Sequence, residues 1–355
     1  MGNYSYSDKL KKLKNRRLDM DFIVRKVEIG EMSHFDSLLE SYEKLEERDV
    51  YKYFIGSMEE VDKIYTKNTF KEAERVQNQL DKIKTSELNF EYRYQGSVSN
   101  NTHIKAYSDV DILVIIDKFI TLEKPQVPSN PYKGNPENDL YNLRIECEEH
   151  LKKTFYSADI DCTGAKSISM EGGSLRRKID VVPSNWFNTN LFAQTSDERF
   201  RGVYVLDKHK MERIGNTPFF HNFLLGQKDT ECQKNYKKLV RLLKTLKADS
   251  NKEIDFSSYD ITGLIYNMDN SKFFVGKGYL ILLRNLKNYL EFVLNNNLYR
   301  DELYVPDRSR KIFDGTSKKI IELGYLKEEV DILYDEIYKD LSYSDYLLEN
   351  KRFAI

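Results

Sequence analysis

The stretch QGSVSNNTHIKAYSDVDILVII, residues 95–116, sets a Gly-Ser pair a short loop ahead of two aspartates that alternate inside a markedly apolar run. Successive side chains of an extended chain point to opposite faces, so Asp109 and Asp111 share one face while Val110, Ile112 and Val114 line the other. Ile112 to Ile116 are five apolar residues, four of them β-branched, as expected of a strand buried on both faces of a layered α/β domain. Two carboxylates at the edge of such a core repel each other, and each is driven toward protonation unless a cation lies between them. A divalent metal resolves the conflict. Mg2+ in particular takes a few carboxylate oxygens and keeps its other positions for water and phosphate. The plainer reading makes Asp109 a turn cap and Asp111 the polar face of an edge strand.

The loop ahead of the acids argues for the metal. Gly96 is open to backbone angles closed to other residues, which lets the chain pass close to a bulky anion, and Ser97 adds a hydroxyl donor beside the backbone amides. Ser99, Asn100, Asn101 and Thr102 extend this small, polar run. A two-metal site calls for one more acid on a neighbouring strand, and GGSLRRKIDVVPSNW, residues 172–186, supplies Asp180. Lys178, Asp180 and Val182 fall on one face of a short strand that Pro183 is expected to end. Taken alone, Asp180 reads as the partner of Arg176 or Arg177 in a surface salt bridge; the Gly-Ser turn and the paired acids upstream turn the reading toward the metal.

The ordered set of Gly96-Ser97, Asp109-x-Asp111 and a lone Asp180 on a later strand resembles the nucleotidyltransferase fold shared by polymerase beta, the oligoadenylate synthetases and cyclic GMP-AMP synthase. Further along, YKKLVRLLKTLKAD (236–249), FSSYDITGLIYNM (256–268) and the loop VPDRSRKIF (305–313) resemble the C-lobe of the bacterial relatives, the CD-NTases of anti-phage defence. The resemblance spans residues 69–315. It implies an α/β (α+β) bilobed architecture, with a polymerase-beta-like core sheet and a helical C-terminal lobe. The expected divisions are an N-terminal helical extension over 1–66, a catalytic lobe over 67–212 and a helical lobe over 213–355. It also implies roles. Asp109, Asp111 and Asp180 hold Mg2+, with Mn2+ as a substitute, and Gly96 and Ser97 hold the β- and γ-phosphates. Lys244 reaches the triphosphate, Ser258 contacts phosphate, and the Tyr259 ring stacks on the base, a contact worth about 1–3 kcal/mol. The substrates are nucleoside triphosphates and the product is a cyclic oligonucleotide that signals to a downstream effector protein. The motif itself specifies nucleotidyl transfer and leaves the acceptor open. A linear oligonucleotide, a small molecule or a protein hydroxyl are alternatives, and so is a degenerate fold that only binds nucleotide.

Composition fits such an enzyme. A chain of 355 residues with 40% hydrophobic and 13% aromatic residues can bury one large or two modest cores. No apolar stretch approaches a membrane span, and MGNYSYSDKLKKLKNRR lacks the apolar centre of a signal peptide, so a cytoplasmic protein is expected. Cys147, Cys162 and Cys232 are too few and too scattered for a disulfide framework or a zinc site, which points to reduced core thiols. A formal net charge of −1 argues against a long nucleic acid partner, which demands a strongly basic face.

Ahead of the core, a charged tail leads to SHFDSLLESYEKLEERD (33–49), where Ser33 reads as an N-cap and Phe35, Leu38, Leu39, Tyr42 and Leu45 repeat at helical spacing. A second helix is expected over 69–84. The stretch LEKPQVPSNPYKGNPENDL (122–140), with four prolines, reads as a loop ahead of a helix beginning near Leu140, either a lid or a surface insertion. In the helix expected over 235–248, Tyr236, Leu239, Val240, Leu243 and Leu246 form a buried side. Lys237, Arg241, Lys244 and Lys247 form a basic stripe, of the kind that usually faces solvent. Tyr334, Tyr338, Tyr343 and Tyr346 crowd the C-terminal tail, and an exposed tyrosine there is an alternative primer for a linear product.

Overall fold

The computed structural model describes residues 5–17, 41–45, 47–104, 109–276, 278–313, 315 and 317–339. In chain order the helices α1 (Tyr6–Arg17), α2 (Asp49–Met58) and α3 (Lys63–Leu80) lead to β1 (Phe90–Gln95) and the one-turn helix α4 (Gly96–Ser99). Then come β2 (Val110–Leu122), α5 (Pro136–Thr154), β3 (Asp159–Asp161), β4 (Ile168–Glu171), β5 (Ile179–Asn188), α6 (Asn190–Thr195), β6 (Gly202–Asp207) and β7 (Glu212–Asn216). Helices α7 (Pro218–Glu231), α8 (Tyr236–Asp249), α9 (Ser258–Tyr266), α10 (Tyr279–Asn295), α11 (Asn297–Arg300) and α12 (Ser317–Tyr338) follow among the described residues. Among the described residues no helix is long and apolar enough to cross a membrane.

The chain divides into two compact units. One takes its described residues from Asp62–His103 and Ser108–Leu224, the other from Met1–Val61, Ile104 and Leu225–Ile355. The divisions thus fall at Val61 and Leu224, where 66 and 212 were expected, and the N-terminal segment joins the C-terminal helices in one unit.

The first unit is built on a seven-stranded sheet ordered β1-β2-β5-β4-β3, with β6 paired to β5 and to β7. β2 and β5 run parallel and the other pairs antiparallel. The apolar run Ile112–Ile116 is buried as its composition demands. Val110, Ile112, Val114 and Ile116 pack with Ala73 and Val76 of α3 and with Leu143 and Cys147 of α5. Leu113 and Ile115 face the other way, with Val182, Trp186, Val203 and Val205. Pro183 does not end β5, which runs on to Asn188. Its missing N–H is tolerated because the flanking partner changes there: Val181 is the last β5 residue paired with β4, and Ser184 the first paired with β6.

Helix α5 starts at Pro136, four residues before Leu140, because the Asn135 side chain accepts the Asn138 N–H and Pro136 fits the first turn. The loop ahead of it leaves β2 at the end opposite the acids, and Tyr132 stacks on Phe119 with ring centroids 5.0 Å apart. That position favours the surface-insertion reading over the lid. Helix α3 begins at Lys63, six residues before the expected start, capped by the Asp62 carboxylate.

The helical unit is organised around α8. Tyr236, Leu239, Val240, Leu243 and Leu246 are all in its core. The basic stripe, however, does not face solvent. Arg241 and Lys244 are buried, Arg241 donates to the carbonyl of Met58 at the C-terminal end of α2 at 2.8 Å, and Lys247 donates to the Phe256 carbonyl. A cation at a helix C-terminus is favourable, which explains the burial. Tyr6, Leu10 and Leu13 give the expected charged tail a narrow apolar edge, and it folds as α1 against this core. The helix expected over 33–49 lies outside the described residues as far as position 40. Its described remainder opens as a 3-10 turn, Ser41–Lys44.

Candidate active site

Strand register brings the acids together. In the parallel pair β2–β5, Asp111 lies directly opposite Asp180, and both follow the alternation of Leu113 and Val182, so both carboxylates stand on the same face. Burial pushes the Asp111 carboxyl up to about 7, with help from the charges of Asp180 and Asp109, while Lys178 works against the rise. Asp180 is raised too, by burial first and then by Asp109, against hydrogen bonds from Ser169 and Ser167. Asp109, just ahead of β2, is paired with Lys178 at 3.1 Å. Of the two arginines expected as alternative partners of Asp180, Arg177 lies over the Tyr65 ring at 3.9 Å.

Two observations fit a cation at this edge. Asp180 Oδ1 is buried without a hydrogen-bond partner, an expensive state for a carboxylate oxygen unless an ion meets it. The second is the raised affinity of Asp111 for a proton, which a divalent cation can replace. The donor set is all oxygen, as Mg2+ and Mn2+ prefer. Among the described residues, no three acidic, His or Cys side chains are grouped so as to hold a metal ion by themselves. The acids stand instead as Asp111 beside Asp180 and Asp109 beside Lys178.

The Gly-Ser turn lies against the same edge. Gly96 has φ +79°, and a Cβ there would meet Asp111 Oδ2 at 2.1 Å. The close approach foreseen for this glycine is therefore made first to the carboxylate. Ser97, half-buried, is the second residue of α4, and its carbonyl accepts from the Thr102 N–H at 3.0 Å. Ser99 Oγ donates to the Gly96 carbonyl at 2.8 Å and accepts from Asn222 Nδ2 at 2.9 Å. Asn100 Nδ2 donates to Asn222 Oδ1 at 3.1 Å.

Lys244, Ser258 and Tyr259 belong to the helical unit. Ser258 is exposed at the start of α9, whose cap is Ser257. The Tyr259 hydroxyl donates to Asp307 Oδ2 at 3.3 Å, and Arg310 sits over its ring at 5.4 Å. Sequence reasoning placed Lys178 on the face of Asp180 without foreseeing its pairing with Asp109, and it did not foresee Ser167, Ser169 or Asn222 at the site. For the serines the signal was the two-residue spacing in KSISME, which puts both on one face of a strand; for Asn222 no local pattern exists.

Residues 225–331 match the family model for the cGAS/DncV-like nucleotidyltransferase C-terminal helical domain. Over 314 residues the chain is 37% identical to the cyclic dinucleotide synthase CdnE of Yersinia aleksiciae, covering 86% of this chain and 81% of that protein. The chain belongs to the CD-NTase family. A c-di-GMP synthase of Capnocytophaga granulosa is 31% identical, covering 81% of this CD-NTase and 88% of the relative. The solved STING-associated CdnE c-di-GMP synthase from Capnocytophaga granulosa superimposes with a TM-score of 0.72 at 28% identity, covering 94% of this chain and 99% of that one. The corresponding structure from Flavobacteriaceae sp. gives 0.75 at 26% identity, covering 95% and 99%. This CD-NTase is accordingly a nucleotidyltransferase of the class that makes cyclic oligonucleotides from nucleoside triphosphates.

Proposed function

We propose that this CD-NTase joins two GTP molecules into a cyclic dinucleotide by metal-dependent transfer at Asp109, Asp111 and Asp180. The observation that carries the reading is the side-by-side placement of Asp111 and Asp180 on parallel strands, with one buried carboxylate oxygen left unpartnered. Mg2+, or Mn2+ in its place, bound there supplies neutralisation of the triphosphate and a lower pKa for the attacking ribose hydroxyl. The chain's own part is orientation. Gly96 brings the turn within reach of Asp111, Ser97 offers its hydroxyl to the β- and γ-phosphates, and Asn222 keeps the turn closed through Ser99 and Asn100. Each ribose hydroxyl attacks the α-phosphorus of the other nucleotide, so one ring forms and two pyrophosphates leave. Lys244, Ser258 and Tyr259 are carried as nucleotide contacts on the family resemblance.

Guanine as the base rests on the relatives named as c-di-GMP synthases, which align over most of this chain. The proposed setting is the cytoplasm, where nucleoside triphosphates are made, and the proposed role is a defence signal read by a cyclic-dinucleotide-binding effector. The test is incubation with each labelled nucleoside triphosphate in Mg2+ and in Mn2+. A phosphatase-resistant product from GTP alone, with two pyrophosphates released per product, is expected. Absence of pyrophosphate release with every nucleotide overturns the enzyme reading, and a product made without GTP overturns the guanine assignment.

A further inference from the structure

Helix α5 carries a buried cation that the transfer chemistry leaves unused. Arg144 is 0% exposed. Its Nε donates to Glu148 Oε1, one turn on, at 2.7 Å. Its Nη2 donates to the carbonyls of Gly164 at 2.8 Å, Ser167 at 2.9 Å and Cys162 at 3.2 Å, and Nη1 donates to Ala165 at 3.4 Å. These four carbonyls belong to the loop between β3 and β4. Carbonyl oxygens turned toward one point repel each other, and a planar guanidinium with five donors satisfies them where a lysine ammonium has three donors on one atom. Lys208 adds to the same loop, donating from its backbone N–H to Ala165 at 2.9 Å and from Nζ to Cys162.

The loop delivers two hydroxyls to the acidic edge. Ser167, its last residue, donates to Asp180 Oδ2 at 3.5 Å. Ser169 is the register partner of Asp180 across β4–β5, which sets the two side chains side by side on one face of the sheet. With the carboxylate held in this way, the unpartnered Oδ1 is the atom that remains for a cation.

We propose that Arg144 is a positioning residue of the metal site: by gathering the carbonyls of 162–167 it places Ser167 and Ser169 against Asp180 and fixes the carboxylate orientation that leaves Oδ1 to ligate. The inference rests on the reading of Asp180 as a metal ligand. Groups that orient a ligand are worth about 10- to 100-fold in metal affinity, so the readout is Mn2+ binding by the full chain, followed by electron paramagnetic resonance with the non-hydrolysable GTP analogue carrying an α,β-methylene bridge. Arg144→Lys should weaken Mn2+ binding about tenfold, and Ser167→Ala with Ser169→Ala should do the same. The triple variant should bind no more weakly than the serine pair. Turnover by Arg144→Lys should return toward the parent kcat as Mn2+ is raised. Parent-like Mn2+ affinity in the serine pair overturns the proposal even if the arginine variant fails to fold. A full additive loss in the triple variant also overturns it, because Arg144 then acts independently of the two serines. Asp180→Asn separates the two levels of the argument: if it binds Mn2+ as the parent does, the ligand reading itself has failed.

Discussion

Asp111 is the most perturbed carboxyl of the acidic edge, and its perturbation has a measurable sign. Its carboxyl is raised to about 7 in the folded chain by burial and by Asp180 and Asp109, whereas the unfolded chain releases that proton near an ordinary carboxylate value. The folded state therefore holds the proton more tightly, and the associated stability is present at low pH and is lost as pH rises from about 4 to about 7. Each unit of separation is worth about 1.4 kcal/mol. In the presence of a chelator, the parent should lose on the order of 2–3 kcal/mol between pH 5 and pH 7.5 relative to Asp111→Asn. Thermal melts of both proteins at pH 5 and pH 7.5 check the difference, and Mg2+ should raise the parent's Tm at pH 7.5 far more than the variant's. Gly96 makes a second residue-scale case. Alanine there is strained by φ +79° and puts Cβ 2.1 Å from Asp111 Oδ2, so either the turn or the carboxylate must move. A displacement of about 1 Å at reacting groups costs about 100-fold, and Gly96→Ala should lose at least that much in kcat/KM. Retention of parent kinetics would place the reacting groups elsewhere.

At the scale of elements, what was legible depended on whether the pattern itself names the partner. Strand β2 could be read from 95–116 because alternation and an unbroken apolar run leave one solution, and its pairing with β5 follows from a second short strand bearing Asp180. The stripe on α8 shows the opposite case. The spacing of Lys237, Arg241, Lys244 and Lys247 is visible in sequence, but the carbonyl of Met58 that takes Arg241 is not, since the two are far apart in the chain. Likewise α1, YSDKLKKLKNRR, offers only Tyr6, Leu10 and Leu13 as apolar residues and reads as a tail until the core that receives them is seen. Its buried Lys9 is 3.0 Å from Glu329 of α12. Removing one partner of a buried pair strands the other charge at a cost of about 3–5 kcal/mol, whereas replacing both is near neutral. Lys9→Met should therefore lower the stability of the chain by that amount in a urea titration, and Lys9→Met with Glu329→Leu should recover most of it. A double variant as unstable as the single would assign α1 no specific pairing with α12.

For the whole molecule, the choice between ring and chain turns on where a primer hydroxyl can come from. Tyr334 and Tyr338 are spent on packing: their rings stack with centroids 4.4 Å apart, and both lie against the core of the helical unit. Tyr343 and Tyr346 lie outside the described residues. A self-primed polymerase requires one tyrosine oxygen at roughly 3–3.5 Å from the α-phosphorus and keeps its product attached to the chain. A cyclising enzyme needs neither, because both hydroxyls it uses arrive on the nucleotides. Deleting residues 343–355, or changing Tyr343 and Tyr346 to Phe, should accordingly leave the yield of free, phosphatase-resistant product unchanged. The Phe pair is the sharper variant, since it keeps ring volume and removes only the two oxygens. Denaturing gels and chromatography of reactions with α-labelled GTP distinguish the cases. Label that stays with the parent protein and disappears in the Phe pair, together with loss of activity, would convert the reading from cyclase to tyrosine-primed polymerase, whereas label confined to the small-molecule fraction in all three proteins leaves ring closure as the chemistry that the acidic edge serves.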